Sequence, residues 1–118
     1  MAKSNALGAG AVLFGALGRL ATTIDARASA DASESYTAKL LSLGPLEAGK
    51  KFGEEAVEFA IAVSAQHEAD ITAEAADVLY HMWVALKSRG ISLEDVGEAL
   101  AAREGRSGLD EKSGRGGG

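Results

Sequence analysis

Residues 52–59 read Phe52-Gly53-Glu54-Glu55-Ala56-Val57-Glu58-Phe59, and Ala60-Ile61-Ala62-Val63 continue the run. Three carboxylates therefore occupy five positions of a segment that is otherwise apolar. Like charges at i,i+3 and i,i+4 weaken a helix rather than support it, so another interaction must hold them. On a helical wheel of about 100° per residue, Glu54, Glu55 and Glu58 share one sector. Phe52, Val57, Phe59 and Val63 cover much of the rest. A helix that is apolar nearly all round is expected to be buried. The acidic sector then reads as a polar patch at one end of an interior helix.

A second helical pattern repeats the arrangement. Ile71, Ala75, Val78, Met82 and Leu86 make an apolar stripe, and Glu74, Asp77 and His81 lie on one flank of it. Paired antiparallel, the two helices would bring Glu74 and Asp77 towards Glu55 and Glu58. Buried carboxylates without partners take up protons or bind a cation. A donor set made only of oxygen suits a hard ion, Mg²⁺ or Mn²⁺, with positions left for water and phosphate oxygens. Most Glu-x-x-Glu pairs are solvated surface. Two acidic pairs at matching spacing, each flanking an apolar stripe, shift the balance towards a site.

Working outward, the periodicity gives five helical segments and no strand: an all-α bundle. The first runs from about Ala11 to Ala28, with Leu13, Leu17, Leu20 and Ile24 on one face. A short helix passes through Tyr36 to Leu41. Gly44-Pro45 ends it and opens the third helix, because Gly suits the position after a helix and Pro its first turn. The third helix reaches about Ala65, and Gln66-His67 marks a turn. The fourth stops at Gly90. Ser92 is the N-cap of the fifth, with Glu94 and Asp95 in its first turn. Three regions result: a flexible N-terminus at 1–10, a helical domain at 11–104, and a Gly- and charge-rich tail at 105–118, expected to be disordered without a ligand.

With 118 residues, the chain is one domain with a modest core, which oligomerisation would enlarge. A net charge of -5 argues against nucleic-acid binding, which needs a basic face. No cysteine is present, so disulfides and thiolate sites are excluded, and a cytoplasmic location fits. The run Ala6 to Gly18 is too short to span a membrane. Arg19, Asp25 and Arg27 separate it from Ala28-Ser29-Ala30, which argues against a signal peptide. Gly44 to Lys51 approaches the P-loop pattern but has Lys51 where a hydroxyl is needed, and no strand precedes it. A di-iron bundle wants Glu-x-x-His, which the sequence lacks. His81 reads as a hydrogen-bonded, half-buried residue and His67 as a turn residue. Trp83, Phe14 and Phe52 read as core or interface.

Glu55-x-x-Glu58 followed by Glu74-x-x-Asp77 resembles the metal motif of the MazG-like all-α nucleotide pyrophosphohydrolases. Ser35-Tyr36-Thr37-Ala38-Lys39-Leu40, Lys51 to Glu58, Glu74 to His81 and Arg103 to Lys112 occur in that order. Together they resemble the phosphoribosyl-ATP pyrophosphohydrolase family of histidine biosynthesis over about Leu13 to Lys112. The acidic motif alone specifies only the superfamily; the Ser-Tyr-Thr and Arg-Ser-Gly-Leu segments point to this branch. The linker before Ser35 lacks a proline often present there, and the tail ends in glycines.

The resemblance implies a helical bundle completed by homodimerisation. It also implies hydrolysis of the α–β phosphoanhydride of phosphoribosyl-ATP to phosphoribosyl-AMP and pyrophosphate. Glu55, Glu58, Glu74 and Asp77 would be the metal ligands, for Mg²⁺ or Mn²⁺, with Glu54 a base or second-metal ligand. Lys39 and Lys51 would contact phosphates, and Arg106, Ser107 and Lys112 would close over the substrate. Two rivals stand beside this reading. One is a house-cleaning nucleoside triphosphate pyrophosphatase with the same site. The other is a non-catalytic helical dimerisation module.

Overall fold

The computed structural model of the chain describes residues 8–65 and 67–105. Five helices follow one another: α1 (Ala11–Arg27), α2 (Tyr36–Ser42), α3 (Pro45–Ala65), α4 (Glu68–Lys87) and α5 (Leu93–Ala101). No strand occurs among the described residues. The sequence breaks fall where the punctuating residues predict. Gly44, at φ +92°, closes α2 in the left-handed region that Gly enters without a Cβ penalty. Its carbonyl then accepts the Ala48 N–H at 3.0 Å, so the same residue opens α3 ahead of Pro45. Gly90, at φ +72°, ends α4. There Ile91 N–H donates to the Leu86 carbonyl and Gly90 N–H to the Lys87 carbonyl, at 3.0 and 2.9 Å. These are the two bonds that satisfy a helix's last carbonyls when a Gly follows it. Ser92 caps α5 reciprocally with Asp95: each side chain takes the other's backbone N–H, at 3.1 and 2.9 Å.

The long helices α3 and α4 fold back on one another and form the main pairing; α1 and α2 pack against α4, and α2 also against α3. Ile24, Leu40, Trp83 and Val84 form the buried core, flanked by Leu20, Leu41, Leu79, Met82 and Leu86. Lys87 fastens α4 to α1 through Asp25 at 2.9 Å. Leu93 ties α5 to the core, but α5 pairs substantially with no other helix among the described residues.

One expectation fails within the single chain. α3 is not an interior helix: Val57, Ile61 and Val63 are each more than half exposed, and only Ala48, Glu55 and Ala62 are buried along it. Its neighbours α2 and α4 cover one side, and among the described residues no other helix packs substantially against it. The proposed N-terminal region at 1–10 and tail at 105–118 lie mostly outside the described residues, as does Gln66. No helix among the described residues is long and apolar enough to cross a membrane.

Candidate functional site

The pairing of α3 with α4 sets the acidic residues against each other. Oxygen atoms of Glu55, Glu58 and Glu74 lie within 4.8 Å of one another. Glu55 is buried, Glu74 half-buried and Glu58 exposed, so the group forms a shallow basin whose floor is Glu55. Glu74 Oε1 is buried without a hydrogen-bond partner. Burial pushes the Glu74 carboxyl above its ordinary range, and the charges of Glu58, Asp77, Glu55 and Asp70 push it further. A convergent all-oxygen set with an orphaned buried oxygen fits a hard divalent cation, which would supply the missing partner and offset the repulsion.

The other residues expected at the site divide. Asp77 acts on Glu74 through its charge, but its carboxylate is not part of the 4.8 Å group. Glu54 is exposed, standing outside the group and paired with Lys51 at 3.6 Å. Lys51 also reaches Glu55 Oε2 at 3.5 Å, so its ammonium sits on the rim of the basin. The charge that Tyr36 carries when ionised holds Lys51 above its usual range; partial burial opposes this, and Glu55 and Glu54 add to it. Lys39 is exposed on α2. Arg106, Ser107 and Lys112 lie outside the described residues.

Beside the basin is a group that sequence spacing does not reveal. His81 is buried and lies 2.8 Å from the Asp77 carbonyl through Nδ1 and 3.3 Å from the Tyr36 hydroxyl through Nε2. Thr37 Oγ1 and the Tyr80 hydroxyl share a hydrogen bond. The only signal for this group in the sequence is the Ser35-Tyr36-Thr37 segment, and its partners lie more than forty residues away. His81 is hydrogen-bonded as expected, but it is buried rather than half-buried. His67 is exposed and stands at the N-cap of α4 without a side-chain bond. Gly49, Lys50 and Lys51 are helical, which rules out a P-loop.

A cavity of about 330 Å³ lies at the other end of α4, lined by Ile24, Asp25, Trp83, Lys87 and Leu93 among others. Its ionic groups, Lys87 and Asp25, are already paired with each other. The convergent carboxylates lie instead where α3 meets α4.

An all-α arrangement with carboxylates shared between two paired helices defines a MazG-like helical bundle. The family profile described as phosphoribosyl-ATP pyrophosphohydrolase matches residues 17–104. The chain belongs to that family. It is 54% identical over 96 residues to phosphoribosyl-ATP pyrophosphatase 1 of Rhodopseudomonas palustris, covering 81% of this chain and 90% of the relative. It is 55% identical over 96 residues to the protein of the same name from Bradyrhizobium diazoefficiens, covering 81% and 91%. To phosphoribosyl-ATP pyrophosphatase of Cereibacter sphaeroides it is 52% identical over 100 residues, covering 85% and 97%.

Proposed function

We propose that this chain hydrolyses phosphoribosyl-ATP to phosphoribosyl-AMP and pyrophosphate, a step of histidine biosynthesis. The observation that carries the reading is the family match over nearly the whole helical domain, at about half identity to relatives named for that activity. Water adds to the α-phosphorus, the α–β bridging bond breaks, and pyrophosphate leaves. The carboxylate basin is the reaction centre. Glu55, Glu58 and Glu74 would hold Mg²⁺, or Mn²⁺, with Asp77 completing the set from the flank of α4. Such an ion neutralises the polyphosphate and acidifies a water. The side chains do the rest by positioning and electrostatics. Lys51, on the rim, receives a phosphate; Lys39 does so from α2; Glu54 accepts the proton of the attacking water. Arg106, Ser107 and Lys112 contact the remote phosphoribosyl group.

The working form is a homodimer. Val57, Ile61 and Val63 on α3, Leu13 and Phe14 on α1, and Leu100 on α5 are all exposed large apolar side chains. More apolar surface than a small monomer tolerates marks an association face. A cytoplasmic location fits a role in amino-acid biosynthesis.

The test is pyrophosphate release from phosphoribosyl-ATP, ATP and dCTP, with and without Mg²⁺. The expected result is Mg²⁺-dependent release with strong preference for phosphoribosyl-ATP. Comparable kcat/KM for all three would instead make the chain a house-cleaning pyrophosphatase. No release from any would leave a dimerisation module.

A further inference from the structure

The Ser35-Tyr36-Thr37 segment does work that the reaction centre does not account for. Ser35 is extended, at φ -144° and ψ 125°, and its Oγ accepts the Ala38 N–H at 3.1 Å. That cap starts α2 with Tyr36 as its first residue. Thr37 is then buried and bonds Tyr80, while Tyr36 remains 50% exposed. A carbonyl only accepts, so His81 Nδ1 carries the proton it gives to Asp77. With the ring neutral, Nε2 is the acceptor, and the Tyr36 hydroxyl donates to it. The Tyr36 ring is thus fixed at its polar end. It lies nearly parallel to Tyr80, with centroids 6.3 Å apart and planes 18° apart, and meets His81 edge-on at 6.0 Å. Among the described residues no other ring contacts it.

Position completes the picture. Tyr36 is pinned through His81 to the backbone of Asp77, on the flank of the carboxylate basin. Lys51 sits 3.5 Å from Glu55 on the rim of the same basin, and Tyr36 is near enough to act on it electrostatically. A nucleotide with its phosphates at Lys51 and the basin would carry its ribose past the Tyr36 hydroxyl and its base towards the ring. We propose that Tyr36 is the base-stacking residue of this site, its exposed ring face receiving the purine of phosphoribosyl-ATP. This rests on the substrate reading above. It also supplies a basis for selectivity. The second ribose sits on a ring nitrogen of the adenine, which raises the basicity of the amidine and gives the base cationic character near neutral pH. An electron-rich phenol face favours such a cation over the neutral adenine of ATP.

The experiment measures steady-state kinetics of Tyr36→Leu, Tyr36→Phe and Tyr36→Trp with phosphoribosyl-ATP and ATP. Inorganic pyrophosphate serves as a base-free inhibitor, and thermal melts confirm folding. Base–aromatic stacking predicts that Tyr36→Leu raises KM for phosphoribosyl-ATP about tenfold or more while kcat changes less than about threefold. Its preference for phosphoribosyl-ATP over ATP should shrink. Phe and Trp should restore KM to within about threefold of wild type. The Ki of pyrophosphate should be the same in all four proteins. A pyrophosphate Ki that rises in step with KM would show a role at the phosphates or in folding and overturn the assignment. So would an unchanged KM in a folded Tyr36→Leu beside an active wild type. A wild type inactive on phosphoribosyl-ATP would overturn the reading of function, and this assignment with it.

Discussion

Glu58 is the exposed member of the carboxylate group, and so the member whose replacement disturbs packing least. Glu58→Gln keeps the shape, removes one charge, and gives Glu55 or Glu74 a donor. It should lower kcat/KM on the order of 10²-fold, with weaker dependence on Mg²⁺ at limiting ion. Without metal it should melt higher than wild type; full activity at limiting Mg²⁺ would remove Glu58 from the site. Glu74 makes a second prediction, with a definite sign. Its folded-state pKa lies above the unfolded value, so between the two the native state binds more protons. Stability without metal should therefore rise as pH falls through that window and decline as pH rises through the folded pKa. Denaturant titrations of wild type and Glu74→Gln between pH 4 and 8 should show that slope in the first and lose it in the second. Saturating Mg²⁺ should abolish it. The acidic spacing made these residues legible. It did not separate Asp77 from Glu74, because a wheel places both on one flank while the rotation of α4 against α3 decides which oxygen enters the basin.

The elements are held by local chemistry at their ends and by small residues where they meet. Ser35 is buried, and its hydroxyl is the side-chain acceptor that caps α2. Ser35→Ala should destabilise by about 1 kcal/mol and lower Tm by a few degrees. If Tyr36 acts as proposed, KM should rise more than kcat falls. Ala62 is completely buried on α3, the helix whose pairing with α4 builds the basin. Ala62→Leu forces extra volume into that contact and should destabilise by about 1–3 kcal/mol, read by urea denaturation. A neutral Ala62→Leu would mean that the two helices separate more easily than their packing indicates. Helix limits were readable from Gly44-Pro45, Gly90 and Ser92 because these residues act within a turn of themselves. The Tyr36–His81 contact was not, since its partners are 45 positions apart and meet only through packing.

For the whole molecule, the informative misreading concerns α3. Its all-round apolar pattern predicted burial, yet one chain leaves Val57, Ile61 and Val63 exposed. If the proposed homodimer is the working state, a second copy would supply the surroundings that this composition implies. Sedimentation at micromolar concentration should give about twice the chain mass. Ile61→Glu should shift the species towards monomer and lower thermal stability, since a charge facing a partner's apolar surface is left unpaired. A wild type that remains a monomer across that range would show that the apolar face serves another purpose. All-α class, helix order and the acidic motif could be read from sequence alone; that the apolar side of α3 is left exposed by its own chain could not, because it depends on how the helices pack.

The loose attachment of α5 has a consequence for how the molecule breathes. A helix of nine residues tied to the core through Leu93, with both ends capped locally, has little to lose on detaching. Its amides should exchange with solvent through a local opening far cheaper than global unfolding, well before those of α3 and α4. If a second copy covers α5, raising the protein concentration should slow exchange selectively across residues 93–101 and leave the α3–α4 pair unchanged. The segment that would then gain protection is the one leading into Arg106, so subunit association would also set how firmly the tail's starting point is held.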